Sequence, residues 1–475
     1  MTVEISKIKG WLAAAALIGV GATLAVGSET VAPARAVQAA ENTCTEPKEP
    51  PGAPKPTTVS TVGQAYRCLF AHYYGGDKID DRQLLTAAFA AIVQELHRSG
   101  KDAADATLPA LSGDRDKDWD GFSATYTRIL GEVPDSLHQR LAEVAIKAMV
   151  SSLHDNHSRW DRHETAPGAG PGMDYGTGID TAPFVAVARS APQQTAGPMY
   201  IRRILGGPAA EAGLRPGDII QSINGAVPYA NGVLSEGALS MLYQDYPSAN
   251  AVRLRLKGPA TGRTWSVTLK PVVFKADTNS SAMVTSKKLE GDTAYVRLSG
   301  FGKDAADKVI AAIKELNPRR VVLDVRGNTG GSPIEANRLV SAFAHGKVTA
   351  YQCDADGQCE ANRTDDRIPL LNLPLVVLAD RDCASAGDHF VAAIKDNKIA
   401  PVVGTRTAGV VAGANAPWLL DDNSLLFIPE RHTLGPNREP INGIGVAPDH
   451  YVPRTAKDVS TGKDPGLAKA LTLFS

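Results

Sequence analysis

The 475-residue chain is 43% hydrophobic and 21% charged, and its 50 Lys+Arg against 51 Asp+Glu leave a formal net charge of −1. That balance excludes the strongly basic field of a nucleic-acid binder and the acidic excess of a solvating, disordered protein. The length accommodates roughly two to four domains with buried cores.

Lys7 and Lys9 precede an apolar run from Trp11 to Val26, and Ala34-Arg35-Ala36 offers a small-x-small exit. This is the pattern of a removable secretory signal over residues 1–36. The run is shorter than the roughly 20 apolar residues that cross a bilayer, so membrane attachment is expected only if the signal stays uncleaved. Residues 37–58 contain Pro47, Pro50, Pro51, Pro54 and Pro56 and read as an extended tether. Export favours disulfides. Cys353 and Cys359 bracket the turn-like Asp354-Ala355-Asp356-Gly357-Gln358 and are expected to staple a hairpin. Cys44 and Cys68 are the next pair, which leaves Cys383 as a buried thiol. The five cysteines form no paired CxxC motifs, so no structural zinc site is expected.

Residues 59–165 read as a helical domain. Leu85, Phe89, Ile92, Val93 and Leu96 make one amphipathic stripe, with Asp80 and Asp81 as cap candidates. Leu141, Val144, Ala145, Ala148 and Met149 repeat the pattern after Pro134-Asp135. A Pro/Gly-dense run from Ala166 to Gly172 then marks a boundary. Strands expected at Phe184–Ala188, Met199–Ile204, Ile219–Ile223, Val252–Leu256 and Trp265–Leu269 make residues 172–274 a small β-rich module. Over 280–455 strands such as Val321–Val325 and Leu375–Leu378 alternate with helices, the pattern of an α/β sheet. Residues 456–475 are left as a C-terminal tail.

Two groups of motifs carry a resemblance. In the β module, Gly207-Pro208-Ala209-Ala210-Glu211-Ala212-Gly213-Leu214 leads to Gly217-Asp218 and then Ile223-Asn224-Gly225. This closely resembles the PDZ domains of bacterial proteases. Tyr175, Gly176, Thr177, Gly178 and Ile179 fall where that family has its carboxylate-binding loop, whose backbone N–H groups hold a chain end while the peptide adds a strand. In the α/β region, strand Val321–Val325 runs into Asp324-Val325-Arg326-Gly327-Asn328-Thr329-Gly330-Gly331. Cys383-Ala384-Ser385-Ala386-Gly387-Asp388 follows a second strand, and Thr405-Arg406-Thr407-Ala408-Gly409 and Gly443-Ile444-Gly445-Val446-Ala447-Pro448-Asp449 come later. In this order they resemble the tail-specific (carboxyl-terminal processing) protease family over roughly residues 60–455.

The resemblance implies three folded units, an α+β assembly with an α/β part. They are the helical N-terminal domain, the PDZ-like module and an α/β serine-protease core of the ClpP/crotonase-like type. It implies Ser385 as nucleophile at a helix start. There the Ala386 N–H and a second donor from Gly330 or Gly331 stabilise an oxyanion. Tail-specific proteases use a lysine base in the loop after the Thr-x-Gly signature, but here that position is Val410. A valine takes no proton. The tricorn-type branch instead places a histidine ahead of the PDZ-like module, and His157 falls on that position. Imidazole titrates near neutrality and deprotonates a serine. That branch's glutamate position is Asn442, an orienter that stabilises an imidazolium less than a carboxylate does. Glu439 is the second choice. His389, four residues after Ser385, is a competing base. His154, His157, Asp161, His163 and Glu164 crowd together without His-Glu-x-x-His spacing and read as a solvated helix end.

The expectation is an exported serine endopeptidase with no cofactor. It acts on protein or peptide substrates recruited or gated by the PDZ-like module, and has no nucleic-acid partner. Two alternatives stay open: an inactive peptide-binding scaffold, motivated by the missing lysine and glutamate, and an esterase-like acyl hydrolase.

Overall fold

This computed structural model describes residues 44–474, apart from 50, 105, 163, 165, 171, 192–194, 248–249, 278–281 and 414. The signal segment, the start of the tether and His163 lie outside the described residues. Among the described residues no helix is long and apolar enough to cross a membrane.

Four helices, Val59–His72, Asp81–Arg98, Arg115–Glu132 and Asp135–Ser151, build the N-terminal unit. Side chains of Asp80 and Asp114 cap two of them by accepting the N–H groups of Arg82 and Lys117, which satisfies donors the first turn leaves unpaired. Leu84, Leu85, Ala88, Phe89, Ile92 and Leu96 bury the inner stripe against Tyr66, Phe122 and Tyr126. The helices do not close this core alone. Trp418, Leu420, Leu426 and Ile428 enter it from the hairpin of strands Asn415–Leu419 and Leu425–Pro429. The second of these strands pairs antiparallel with Arg159–Asp161. The described part of the Pro-rich stretch runs along the same hairpin. Thr45 bridges Leu419, the Thr57 hydroxyl donates to Asp422 at 2.7 Å, and Cys44 is disulfide-bonded to Cys68.

The β module is a five-stranded antiparallel sheet in the order Ile179–Ala182, Tyr200–Ile204, Ile219–Ile223, Val252–Lys257 and Thr264–Leu269. Short helices Gly207–Glu211 and Glu236–Leu242 flank it. The stretch expected as strand Phe184–Ala188 is instead a helix, Val185–Ser190. Pro183 and the Phe184 N–H, which donates to Asp382 at 2.8 Å, start that helix and take the backbone off the sheet. Arg202 joins the module to the third unit. Its guanidinium reaches Asp180 at 2.9 Å and Asp382 at 3.1 Å, both carboxylates being buried.

The third unit is a six-stranded sheet in the order Val284–Leu289, Thr293–Leu298, Arg320–Asp324, Leu375–Ala379, Val402–Gly404 and His450–Tyr451. The first pair is antiparallel and the rest are parallel. Helices Ala305–Leu316, Pro333–Ser341 and Ala386–Asp396 cover one face, packing Val309, Leu339 and Phe390 onto Leu323 and Val377. Covered strands of this kind read as continuous apolar runs. Beside the sheet, Val348–Cys353 pairs with Cys359–Arg363 across the Cys353–Cys359 disulfide.

The segment after 455 does not trail into solvent. It forms helices Ala456–Ser460 and Pro465–Thr472, and the second covers the other face of the sheet through Ala470, Leu467 and Leu471 on Val322, Val376, Leu378 and Val403. Arg326 fastens it, reaching Asp324 at 2.6 Å and Asp464, the cap of that helix, at 2.7 Å. Burial alone would raise the Asp324 pKa, yet the Arg326 guanidinium holds it below its ordinary value. Removing one partner of such a pair leaves a buried, uncompensated charge. Arg326→Ala is therefore expected to lower stability by about 3–5 kcal/mol. Urea unfolding of the variant beside the parent checks this, and an unchanged midpoint contradicts it.

Candidate active site

Strand Leu375–Ala379 is buried along its whole length and delivers the chain to a tight turn that ends at Ser385. Ser385 takes φ 56° and ψ −120°, a conformation that L residues adopt only when the surroundings hold it. Helix Ala386–Asp396 starts at the next residue. The surroundings are specific. The Ser385 N–H donates to Val410 O at 2.7 Å and the Ala384 N–H to Asn328 O at 3.0 Å. A side chain on Gly330 would bring its Cβ within 2.7 Å of Ser385 Cβ, and one on Gly387 within 2.5 Å of Asn328 O. Both glycines are required by close approach.

The same helix anchors the loop on its other side. Buried Asp388 accepts the Thr407 hydroxyl, the Gly409 N–H at 2.9 Å and the Val410 N–H at 3.1 Å. Burial pushes its carboxyl up to about 6 against those hydrogen bonds. Val410 itself packs with Val187, Ala191, Ala384 and Ala408. Val410, where the resemblance expects a lysine, thus makes an apolar contact between the loop and helix Val185–Ser190.

Of the two glycines expected as oxyanion donors, Gly330 has its N–H committed to Asn328 Oδ1 at 2.9 Å. Gly331 lines the cleft beside Ser385 and Ala386. Among the described residues neither the Gly331 nor the Ala386 N–H has a hydrogen-bond acceptor. These two amides, one at a helix N-terminus, make the local potential positive.

His157 lies just beyond helix Asp135–Ser151 in a turn closed by Asp155, whose Oδ1 accepts its N–H at 2.7 Å. Its Nδ1 is 2.8 Å from Asn156 Oδ1. Asn156 Nδ2 in turn donates to Asn442 Oδ1 at 2.9 Å, and Asn442 Oδ1 also accepts the Val411 N–H at 3.1 Å. An amide oxygen only accepts, so the ring is assigned as the Nδ1–H tautomer with the lone pair on Nε2. Burial lowers the His157 pKa to about 4, opposed by Asp155. The ring is neutral at pH 7. His157 and Ser385 line one cleft of about 2770 Å³, together with Asn156, Asn442, Val410 and PDZ-module residues such as Tyr175 and Tyr243.

Asn156 was missed in the sequence. Its neighbour His157 was singled out, but only the folded loop shows that Asn156 stands between His157 and Asn442. The visible signal was an amide adjacent in sequence to the candidate base. Glu439 is not brought to the cleft. Its Oε2 accepts the Asn437 N–H at 2.8 Å, and its carboxyl, with burial, pushes Asp396 at the far end of the nucleophile helix upward. His389 does line the cleft, but it is buried, and its Nε2 has no partner among the described residues. Burial lowers its pKa to about 4, and no carboxylate orients it.

The PDZ-like loop sits where strand Met173–Gly176 gives way to Ile179–Ala182. Gly176 and Gly178 take φ 145° and 78°. Thr177 O and Gly178 O accept the Ala209 and Leu205 N–H groups, while among the described residues the Thr177 and Gly178 N–H groups have no acceptor. Tyr175 packs edge-on against Tyr246. His154, Asp161 and Glu164 do not converge to ligand distance. Among the described residues the one cluster that does is Cys44, Cys68 and His72, whose cysteines form a disulfide.

Comparison with known proteins agrees with the motifs. Residues 292–452 match the model of peptidase family S41, and residues 202–229 match a PDZ domain model. Over 322 residues the chain is 30% identical to carboxyl-terminal-processing peptidase 2, chloroplastic, of Arabidopsis thaliana, covering 66% of this chain and 60% of that protein. It is 26% identical to the carboxy-terminal processing protease CtpB of Bacillus subtilis, covering 66% of this chain and 64% of that protein. The match thus spans under two thirds of the length of these relatives. Among solved structures, the photosystem II D1 C-terminal processing protease is similar at TM-score 0.48 and 22% identity, covering 79% of this chain and 94% of that one. Over these spans the chain is similar to carboxyl-terminal processing proteases.

The hydrogen-bond chain on His157 predicts its titration. Nitrogen NMR of the imidazole is expected to show the Nδ1–H tautomer and a neutral ring through pH 5, charging only near pH 4. A ring that charges near its ordinary value contradicts the half-buried, amide-bound geometry.

Proposed function

Because the core of this chain matches peptidase family S41, we propose that it is an exported serine endopeptidase, with its active site built as in the tricorn-type branch. Ser385 is the nucleophile. The observation that carries this reading is the strained Ser385 turn, with the unpaired N–H groups of Ala386 and Gly331 in the cleft that also holds His157.

In this reading His157 Nε2 takes the Ser385 hydroxyl proton as Oγ attacks the peptide carbonyl. The developing oxyanion is met by the Ala386 and Gly331 amides, which need no reorganisation. The imidazolium donates its Nδ1–H to Asn156 Oδ1, and Asn442 fixes Asn156. The amine leaves with the proton from Nε2, and water hydrolyses the acyl-enzyme by the same route. An amide acceptor orients the ring but carries no charge, so it stabilises the imidazolium less than a carboxylate. The PDZ-like module recruits protein or peptide substrates by their chain ends. The disulfides Cys44–Cys68 and Cys353–Cys359 support an oxidising, extracytoplasmic setting.

A fluorophosphonate probe tests the site. The parent is expected to label and Ser385→Ala not at all. His157→Ala is expected to slow labelling by about 100-fold or more, and Asn156→Ala by about tenfold. Labelling must require neutral His157, so its rate should rise with pH through about 4 and be flat near neutrality. No labelling of the parent at any pH favours an inactive scaffold. Labelling untouched by His157→Ala removes His157 as the base.

A further inference from the structure

Strand Ile179–Ala182 is the outer strand of the five-stranded sheet. Its partner strand Tyr200–Ile204 occupies one side. The other side is where an added chain would pair. One amide of that side is already taken. The Thr181 N–H donates to the Tyr243 hydroxyl at 3.2 Å. Thr181 Oγ1 donates to Pro183 O at 2.8 Å, so at 2.8 Å from Tyr243 Oη it accepts that hydroxyl's proton. The tyrosine therefore fills the backbone donor and the side-chain hydroxyl of Thr181, and Thr181 is fully buried.

Tyr243 ends helix Glu236–Leu242, which borders this side of the sheet, and its own carbonyl accepts Arg189 Nη2 at 2.8 Å. Arg189 belongs to helix Val185–Ser190, whose Val187 packs with Ala384 and Val410 beside Ser385. Tyr243 and Arg189 both line the cleft that holds Ser385. The N-terminal end of the same strand is different: the Thr177 and Gly178 amides have no acceptor among the described residues.

We propose that Tyr243 is a built-in occupant of the chain-end site. A carboxylate can seat on Thr177 and Gly178 while the tyrosine stays, but the incoming backbone reaches Thr181 only by displacing the Tyr243 hydroxyl. Occupation by a chain end thus displaces the Tyr243 side chain from Thr181, next to the Tyr243 carbonyl that accepts Arg189 of the helix packed beside Ser385. This rests on the reading of the PDZ-like module as a chain-end receptor.

Binding to the full chain carrying Ser385→Ala tests it, with a fluorescent hexapeptide ending in a free carboxylate and the same peptide as its amide. Adding Tyr243→Phe removes the competing hydroxyl and is expected to tighten binding of the free acid about fivefold, with the preference for acid over amide kept. Without peptide, exchange of the Thr181 amide should be faster in Tyr243→Phe, which also reports that the module is folded. Equal or weaker binding of the acid by Tyr243→Phe, with acid still preferred over amide, overturns the occupant and leaves the receptor standing. No preference for acid over amide in either protein removes the receptor reading and this inference with it.

Discussion

The arrangement depends on holding Ser385 in a backbone conformation that a free serine avoids. Between strand Leu375–Ala379 and helix Ala386–Asp396 the chain turns tightly, and Ser385 at the helix start lines the cleft. Left-handed φ at a non-glycine residue costs on the order of 1–3 kcal/mol, and surrounding contacts must over-determine it. Here they come from three directions: Gly330 against the Ser385 side chain, Asn328 beneath the turn, and the Val410 carbonyl on the Ser385 amide. Asp388, one turn along the nucleophile helix, ties that last loop back to the helix itself.

The electrostatics of the site follow from burial rather than from charge pairing. The proposed base is neutral because burial disfavours its charged form, and its orienting partner is an amide. Val410 and Asn442 stand where the resemblance expects a lysine in one branch and a glutamate in the other. In the proposed site the reacting groups are uncharged before attack and the fixed dipoles of two amides would face the oxyanion.

The three units are less separate than their composition suggests. The helical unit completes its core with the hairpin around Trp418 and Leu426. The C-terminal helix closes the second face of the sheet. Arg202 carries the PDZ-like module onto Asp382, three residues before Ser385, and burial pushes that carboxyl up while the guanidinium opposes it. Each junction brings a side chain from one unit to an element of a neighbouring one.

Local signals set much of this. Apolar period marked the helices, continuous apolar runs marked the inner strands, and the order of Gly-rich turns carried the family. Asp-x-Arg-Gly-Asn and Ala-Ser-Ala-Gly were legible because close approach admits few residues at Gly330 and Gly387. What the sequence could not decide lies in contacts between residues far apart. Phe184–Ala188 has a strand's composition, but Pro183 and Asp382 make its chain turn into a helix. Glu439 has a base-orienting side chain near the right place in sequence, yet its loop aims it at Asp396. Asn156 has no motif of its own, and only the folded cleft puts it between His157 and Asn442, because hydrogen-bond distance is a property of three-dimensional packing and not of spacing along the chain.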